Sequence, residues 1–127
     1  KISGGASIYS ETPLKPDDLD IRVDGSGKVS LNVFTNSIDC EINGSGNIIM
    51  NGTCKDLDIH INGSGDFKGI GLNSYKAKIK INGSGKASIV AHNKLHATVN
   101  GSGEINYSGN PEININISGS GKVEKIN

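Results

Sequence analysis

The sequence has 127 residues, with 13 basic and 13 acidic side chains, so its formal net charge is zero. This length fits a single domain, and a neutral chain without a basic run gives no electrostatic reason to expect nucleic acid or an anionic membrane as partner. No apolar stretch approaches the ~20 residues of a membrane-spanning helix. The sequence begins at Lys1 rather than Met, so the lack of a visible signal peptide carries no information about the compartment.

The composition favours strands, since the chain has 18 Gly, no Trp and many Ile, Asn and Ser residues. Disorder is the first alternative for such a chain, but the Ile and Val residues recur at fixed places. Two cysteines are too few for a disulfide framework. We expect two free thiols rather than a bridge, with Cys40 facing inward and Cys54 in a loop.

A Gly-Ser-Gly triplet recurs along the chain at spacings of 19, 19, 20, 18 and 18 residues, and a degenerate copy, Gly4-Gly5-Ala6, comes 21 residues before the first triplet. A fixed period near 19 predicts a solenoid. Glycine permits the backbone angles of a sharp corner between stacked strands. The predicted turn glycines are Gly25, Gly27, Gly44, Gly46, Gly63, Gly65, Gly83, Gly85, Gly101, Gly103, Gly119 and Gly121.

Apolar residues alternate with polar ones on both sides of each triplet, which predicts strands with one buried face. Before the second triplet they are Ile38, Cys40 and Ile42, and the same three positions recur in every coil. After the triplets the inward positions include Val29, Leu31 and Met50, and further along Gly52, Gly71 and Gly109. Each coil is expected to hold two six-residue strand segments, one corner, and a connecting loop of 3–6 residues.

The residue before each triplet is Asp, Asn or, in the last copy, Ser. Side chains stacked at ~4.8 Å can hydrogen-bond into a ladder along a solenoid. The chain is therefore expected to be all-β, a single-stranded parallel β-helix (solenoid) of ~19-residue coils turned at Gly-Ser-Gly corners, with a ladder beside the corners.

The last coils have the most specific pattern: the segment from Lys94 to Pro111 reads KLHATVNGSGEINYSGNP, and a final triplet follows Ile117. This pattern resembles the head GIN domain of the putative autotransporter adhesins, a bacterial family common in Bacteroidetes. The resemblance implies a right-handed β-helix and export to the periplasm, outer membrane or cell surface, and it implies no catalytic residue and no cofactor. Such domains usually have more sequence before the first coil, so the single domain, residues 1–127, is expected to lack an N-terminal cap.

The outward columns are where binding residues are expected. Asp20, Asp39 and Asp58 stand five residues before successive triplets, so their carboxylates should stack and repel one another. Together with Glu41 they form a weak candidate for a Ca²⁺ site, because Ca²⁺ takes several oxygen ligands. A solvated charge ladder compensated by Arg22 and Lys78 is the simpler interpretation.

A basic patch surrounds the fourth triplet and is a candidate contact for an acidic polysaccharide; its members are Lys76, Lys78, Lys80 and Lys86. A solvated charged face is the alternative. The histidines His60, His92 and His96 lack a matched carboxylate pair or a Cys partner at ligand spacing, so they are expected to be surface residues, with His92 in a loop.

Self-association is expected through two features. Ile49, Ile70, Val90 and Ile126 form an exposed apolar stripe on the other outward face, in which Ile70 and Val90 share a column. Unpaired strand edges at the coil ends are the second route to a homo-oligomer.

The favoured function is a non-catalytic adhesin-like module at the cell envelope that binds a carbohydrate or a surface protein. The alternative is a structural or self-assembling scaffold. A polysaccharide-processing enzyme comes third, because loops of 3–6 residues are too short to wall a catalytic cleft.

Overall fold

The computed structural model describes residues 7–9 and 18–125, and within these ranges all regular structure is β-strand. The chain winds as a parallel β-solenoid of about 6 turns, which confirms the predicted fold class. The strands are β1 (Ser7–Tyr9), β2 (Asp18–Gly25), β3 (Lys28–Phe34), β4 (Ser37–Gly44), β5 (Asn47–Gly63), β6 (Asp66–Gly83), β7 (Lys86–Asn100), β8 (Glu104–Ser108), β9 (Glu112–Ser118) and β10 (Lys122–Lys125).

The coils present two main sheet faces. The front sheet, as we name it, consists of β2, β4, β9 and the second halves of β5, β6 and β7, stacked in parallel. The back sheet consists of β1, β3, β8, β10 and the first halves of β5, β6 and β7. Partners across the stack lie about one period apart, as in the pairing of Ile38 with Leu57. The degenerate triplet at 4–6 lies outside the described residues.

The Gly-Ser-Gly corners lie above one another between the two sheets. Gly63 has φ +112°, and a Cβ there would come within 2.7 Å of the carbonyl oxygen of Gly44 in the preceding coil. A Cβ on Gly65 would come within 2.5 Å of a methyl carbon of Ile42. The first glycine of the triplet therefore provides a left-handed backbone angle, and both glycines allow successive corners to stack closely.

A ladder of side-chain amides runs beside the corners, as predicted. Asn43 Nδ2 donates to Asp24 Oδ1 over 3.0 Å, and Asn62 Nδ2 donates to Asn43 Oδ1 over 2.9 Å. Asn82 and Asn100 repeat the same bond over 3.0 and 2.9 Å. Every donor points toward the preceding coil, so the carboxylate of Asp24 accepts at one end of the series.

The interior is filled by the predicted aliphatic columns, in which residues such as Ile42, Ile61 and Ile81 are fully buried. Cys40 is also buried, as expected. The expected loops at 53–56, 72–76 and 92–94 are instead continuous strand, so the prediction of a connecting loop was wrong for these three coils, whereas short breaks at 35–36 and 109–111 separate β3 from β4 and β8 from β9. As a result Cys54 lies in β5 and is buried, and His92 lies in β7, rather than in loops.

The predicted inward place of Gly71 was also wrong. Between Ile49 and Asn51 the pairing of β5 with β6 shifts by one residue, so Asn51 faces Gly71 and Gly52 faces Leu72. The extra residue lies in the 20-residue coil and rotates Leu72 into the core, where it is fully buried. A β-bulge of this kind absorbs an insertion without disturbing the register on either side.

A second irregularity, in the pairing of β6 with β7 between Lys68 and Asn73, removes the expected apolar stripe. In the pairing of β6 with β7, Val90 faces Asn73 rather than Ile70. Ile70 is exposed, whereas Ile49 and Val90 are half-buried. The fourth member, Ile126, lies outside the described residues. The prediction that Ile70 and Val90 share a column was therefore wrong.

Candidate ligand-binding groove

The front sheet carries its charges in two halves. Because side chains alternate across a strand, each front strand presents outward the residues seven, five and three places before its triplet. In β2, β4 and the second half of β5 these positions are mainly acidic, and in β6 and β7 they are mainly basic. The two halves meet where Asp56 faces Lys76 and Asp58 faces Lys78.

The acidic half contains the column predicted from the sequence. Asp20 faces Asp39, and Asp39 faces Asp58, so three carboxylates are stacked on successive strands. Partial burial, together with the neighbouring carboxylates of Asp58 and Asp20, raises the pKa of Asp39 above its ordinary value. Arg22 offsets part of this charge, since its Nε lies 3.3 Å from Asp24 Oδ1 and 3.8 Å from Glu41 Oε2.

The weak Ca²⁺ candidate of Asp20, Asp39, Asp58 and Glu41 gains no geometric support. Within residues 7–9 and 18–125, no group of three or more His, Cys, Asp or Glu side chains is placed to hold a metal ion. The acidic half is therefore a stack of carboxylates on successive strands.

The basic half is built on alternate residues of β6. Lys76, Lys78 and Lys80 are all exposed on the front sheet, and they stand ~6.6 Å apart along the strand at ~3.3 Å per residue. Lys94 of the next strand faces Lys76 directly. In the described part of the chain both ion pairs involve Arg22, so none of these four ammonium groups makes an ion pair there, although Asp56 faces Lys76, Asp58 faces Lys78 and Glu112 faces Lys94.

Three of these lysines line a groove of about 590 Å³ on the front sheet. Residues 56–58, 76–78, 94–96 and 112–114 form its walls and floor. Carboxylates stand at both ends along the solenoid axis, Asp56 and Asp58 on one side and Glu112 on the other. A bound anion would therefore be confined to the two central strands of the groove, β6 and β7, and its long axis would run parallel to these strands. We name this feature the lysine groove.

One predicted member of the basic patch lies elsewhere. Lys86 follows the Gly83 corner and belongs to the back sheet, where it faces Asp66 on one side and Glu104 on the other. Lys86 therefore lies on the sheet opposite Lys76 and Lys78 and does not contribute to the lysine groove. Lys94 was missed by the sequence reasoning, although it stands seven residues before its triplet, as Lys76 does.

The histidines occupy different environments. His96 lines the lysine groove beside Lys78, which it faces across the pairing of β6 with β7. His60 Nε2 lies 3.3 Å from Asn82 Nδ2, and His92 Nε2 lies 3.4 Å from Asn73 Oδ1. His92 and His96 both belong to β7, whereas His60 belongs to β5, and in the described residues the three rings form no common metal centre.

Both cysteines are free thiols inside the solenoid. Burial raises the pKa of Cys54 to about 12, with a smaller contribution from Asp56. Burial also raises the pKa of the Cys40 thiol well above its ordinary value. Neither thiol lies in the lysine groove, and a thiol that stays protonated is a poor nucleophile.

The fold and the groove define this protein as a parallel β-solenoid with a groove on one sheet face that is lined by three lysines and three carboxylates. The chain belongs to the family described as "Putative auto-transporter adhesin, head GIN domain", whose sequence profile matches residues 1–111. This confirms the resemblance drawn from the sequence, and it places the chain among surface or exported proteins. Within the described residues no helix has the length and apolar character needed to cross a membrane.

Solved structures of Parabacteroides proteins show the same fold. A "putative lipid binding protein" of Parabacteroides distasonis is 32% identical, with a TM-score of 0.96, over 98% of this chain and 51% of the other. A "putative adhesin" of Parabacteroides merdae is 28% identical, with a TM-score of 0.87, over 98% of this chain and 62% of the other. A second "putative adhesin" of P. distasonis is 30% identical, with a TM-score of 0.83.

The chain thus spans 51–62% of the length of these structures. Comparison with curated proteins gives no match. The family and these relatives are described as adhesins or binding proteins rather than as enzymes.

Proposed function

We propose that this protein is a non-catalytic binding module of the cell surface that holds an acidic polysaccharide in the lysine groove. The observation that carries the proposal is that Lys76, Lys78 and Lys94 line one groove and make no ion pair among the described residues, with Lys80 in line on the same strand. Ammonium groups that make no ion pair within the protein are available to carboxylate or sulfate groups of a ligand.

The spacing of the lysines favours a linear polymer. Lys76, Lys78 and Lys80 cover ~13 Å along β6, which suits a chain with regularly repeated anionic groups better than a single small anion. The carboxylates on either side of the basic strands, Asp58 and Glu112 among them, would repel a polyanion that lay along the solenoid axis. The polymer is therefore expected to run across the axis, parallel to β6.

The lysine groove also suits binding better than catalysis. Its histidine, His96, makes no hydrogen bond to a carboxylate among the described residues, so this ring is not paired there as a general acid or base. An open, shallow strip that remains in contact with water gives little of the desolvation that catalytic groups require.

The proposal is tested by isothermal titration calorimetry with defined uronic acid oligosaccharides and their neutral counterparts. Lys78→Ala is expected to weaken binding about tenfold, which corresponds to ~1.4 kcal/mol and to the low end of the ~1.5–3 kcal/mol for hydrogen bonds to charged groups. Lys86→Ala is the matched control, because it removes the same charge from the back sheet. Added salt should weaken binding by the wild type, since exposed charges are screened.

Three results would count against the proposal: equal affinity for acidic and neutral oligosaccharides, equal losses from Lys78→Ala and Lys86→Ala, or no affinity for any acidic oligosaccharide. Vesicles of phosphatidylglycerol are included as a second anionic probe. Binding to these vesicles without binding to oligosaccharides would overturn the polysaccharide proposal in favour of a lipid surface.

A further inference from the structure

The strand that carries most of the lysines also carries an exposed aromatic ring. Tyr75 immediately precedes Lys76 in β6 and is 53% exposed. It is exposed although β6 pairs with β5 on one side and with β7 on the other, so the exposure does not come from an uncovered end of the solenoid. Of the other aromatic residues in the range 18–125, Phe67 and Tyr107 are buried, and Phe34 lies at the end of a back-sheet strand.

Tyr75 lies where the coil turns from its variable side into the front sheet. Ser74 is 1% exposed and Ala77 is buried, so Tyr75 and Lys76 are two successive exposed residues between two inward ones. At this point β7 has two residues, 92–93, where β6 has only Tyr75. Bulges of this kind change the direction of side chains and often occur beside functional sites. The irregularity thus leaves the tyrosine exposed next to the first lysine of the groove.

The fold does not require an aromatic residue at this position. Tyr75 stands eight residues before the first glycine of its triplet. The equivalent residues of the other described coils are polar or proline, namely Asn36, Lys55, Asn93 and Pro111. The stacking of coils therefore accepts small and polar side chains at this place. The one aromatic ring occurs in β6, the strand whose outward front-sheet positions, Lys76, Lys78 and Lys80, are all lysine.

We propose that Tyr75 is a sugar-stacking residue, on which one pyranose ring of an acidic polysaccharide lies while its charged groups contact Lys76 and Lys78. The inference rests on the proposed function and deepens it, because it names what selects a carbohydrate among anionic polymers. An ammonium group acts as a point charge and attracts any anion, so the lysines alone do not distinguish a polyuronate from another polyanion.

The chemistry of a tyrosine ring matches one face of a sugar. A pyranose presents several C–H groups on one face, and their partial positive charge is attracted by the negative face of an aromatic ring. The contact also removes apolar surface from water on both partners. The phenolic hydroxyl of Tyr75 can in addition donate to, or accept from, the sugar hydroxyls.

The place of Tyr75 agrees with the course that we expect for the polymer. Tyr75, Lys76, Lys78 and Lys80 cover ~17 Å of one strand at ~3.3 Å per residue. A polymer that runs parallel to β6 therefore passes Tyr75 as it leaves the Lys76 end of the lysine groove. Charge contacts then fix the polymer along the strand, and the ring recognises one of its sugar units.

Isothermal titration calorimetry with Tyr75→Ala and Tyr75→Phe separates stacking from charge. Tyr75→Ala should weaken binding of a uronic acid oligosaccharide roughly three- to tenfold, as expected for an aromatic contact, and the same ratio should persist in added salt, which screens only the charges. Tyr75→Phe keeps the ring and should bind nearly as tightly as the wild type. Affinity for polyglutamate, which has carboxylates but no sugar rings, should be equal in all three proteins.

Phe34→Ala is the matched control, because it removes an exposed aromatic ring from a back-sheet strand and should leave oligosaccharide binding unchanged. The Tyr75 variants should keep the circular dichroism spectrum of the wild type, since Asn and Lys occupy the same position in other coils.

A tryptophan at position 75 provides a direct measurement of the contact. The chain contains no Trp, so Tyr75→Trp introduces a single indole whose emission comes from this position alone. Its emission maximum should shift to shorter wavelength when the uronic acid oligosaccharide is added, because a stacked sugar displaces water from the ring. Polyglutamate should give a smaller shift.

The possible failures can be distinguished. A wild type that binds no acidic oligosaccharide would overturn the proposed function and the role of Tyr75 together. If Lys78→Ala weakens oligosaccharide binding and Tyr75→Ala does not, the lysine groove stands and the role of Tyr75 is wrong. Equal losses from Tyr75→Ala and Phe34→Ala, or an equal loss of polyglutamate and oligosaccharide affinity in Tyr75→Ala, would also contradict stacking on a sugar.

Discussion

Asn43 Nδ2 donates to Asp24 Oδ1 over 3.0 Å, and this bond ends a series in which each amide donates to the residue one coil earlier. Because every donor in the series has the same direction, the amide dipoles add, and the negative charge of Asp24 lies at the end where acceptors are needed. The position before each Gly-Ser-Gly corner thus links the coils through side chains as well as through the backbone.

Removing an interior member of the ladder should destabilise the fold more than removing its last member. Asn62→Ala removes two bonds, its donation to Asn43 and its acceptance from Asn82. At ~0.5–1.5 kcal/mol per bond, the free energy of unfolding should fall by ~1–3 kcal/mol. Asn100→Ala removes one ladder bond at an exposed position and serves as the control. Equal losses in urea denaturation would contradict this expectation, because they would mean that the second ladder bond of Asn62 adds nothing to the stability.

Adding a side chain at a corner glycine should destabilise the fold more than shortening the side chain of the neighbouring serine. Gly63→Ala introduces a Cβ within 2.7 Å of the carbonyl oxygen of Gly44, at a residue with φ +112°. The left-handed backbone angle alone costs ~1–2 kcal/mol, and the close contact adds to that. Ser64→Ala changes an exposed residue of the same corner and should stay within ~0.5 kcal/mol of the wild type. A stable Gly63→Ala protein would show that the corners can separate without loss of the stack.

The repeat could be predicted from the sequence because each coil is under the same two constraints. Ile42, Ile61 and Ile81 recur at one place since their column has to be filled in every coil, and the corner glycines recur because any Cβ there meets the coil below. These constraints act through spacing along the chain, so the fold class, the front-sheet register and the Asn ladder were all predicted.

The side opposite the corners could not be predicted in the same way, because its length varies from coil to coil. Alternation counted forward from Gly65 predicts that Gly71 faces the core. One extra residue in this coil moves every residue after it to the opposite face of the strand. Leu72 therefore takes the inward position that was predicted for Gly71. Cys54 was assigned to a loop for the same reason. Counting back from the next triplet, which fixes Lys76 and Lys94, would have found the full lysine groove.

The buried thiols should be unreactive in the native state. The pKa of Cys54 is raised to about 12, and that of Cys40 is raised as well, so at neutral pH neither is present as the thiolate that attacks a disulfide reagent. We expect the folded protein to give no signal with Ellman's reagent. The protein unfolded in denaturant should give the signal of two thiols. A fast reaction of one thiol in the native state would show that its strand opens locally.

The stacked carboxylates should make the folded state more stable as the pH falls through the pKa of Asp39 in the folded state. The pKa of Asp39 is raised in the folded state above its ordinary value of 3.8, so in the window just above 3.8 the folded state binds more protons than the unfolded state. Stability should therefore rise as the pH falls through the folded pKa, and at neutral pH the ionised column should be slightly destabilising. Because Asp39 is exposed to solvent, screening keeps this effect small.

Asp39→Asn tests this relation, because it keeps the shape of the side chain and removes its charge. At neutral pH and low salt its melting temperature should exceed that of the wild type by a small margin, and the difference should shrink both in added salt and as the pH falls toward 3.8. Asp66→Asn is the matched control, because Asp66 faces Lys86 on the back sheet and loss of its charge should not stabilise the fold. A lower melting temperature for Asp39→Asn at neutral pH would contradict this expectation. It would mean that the carboxylate column binds a cation whose attraction exceeds the repulsion between the carboxylates. Adding Ca²⁺ to the wild type would then raise its melting temperature.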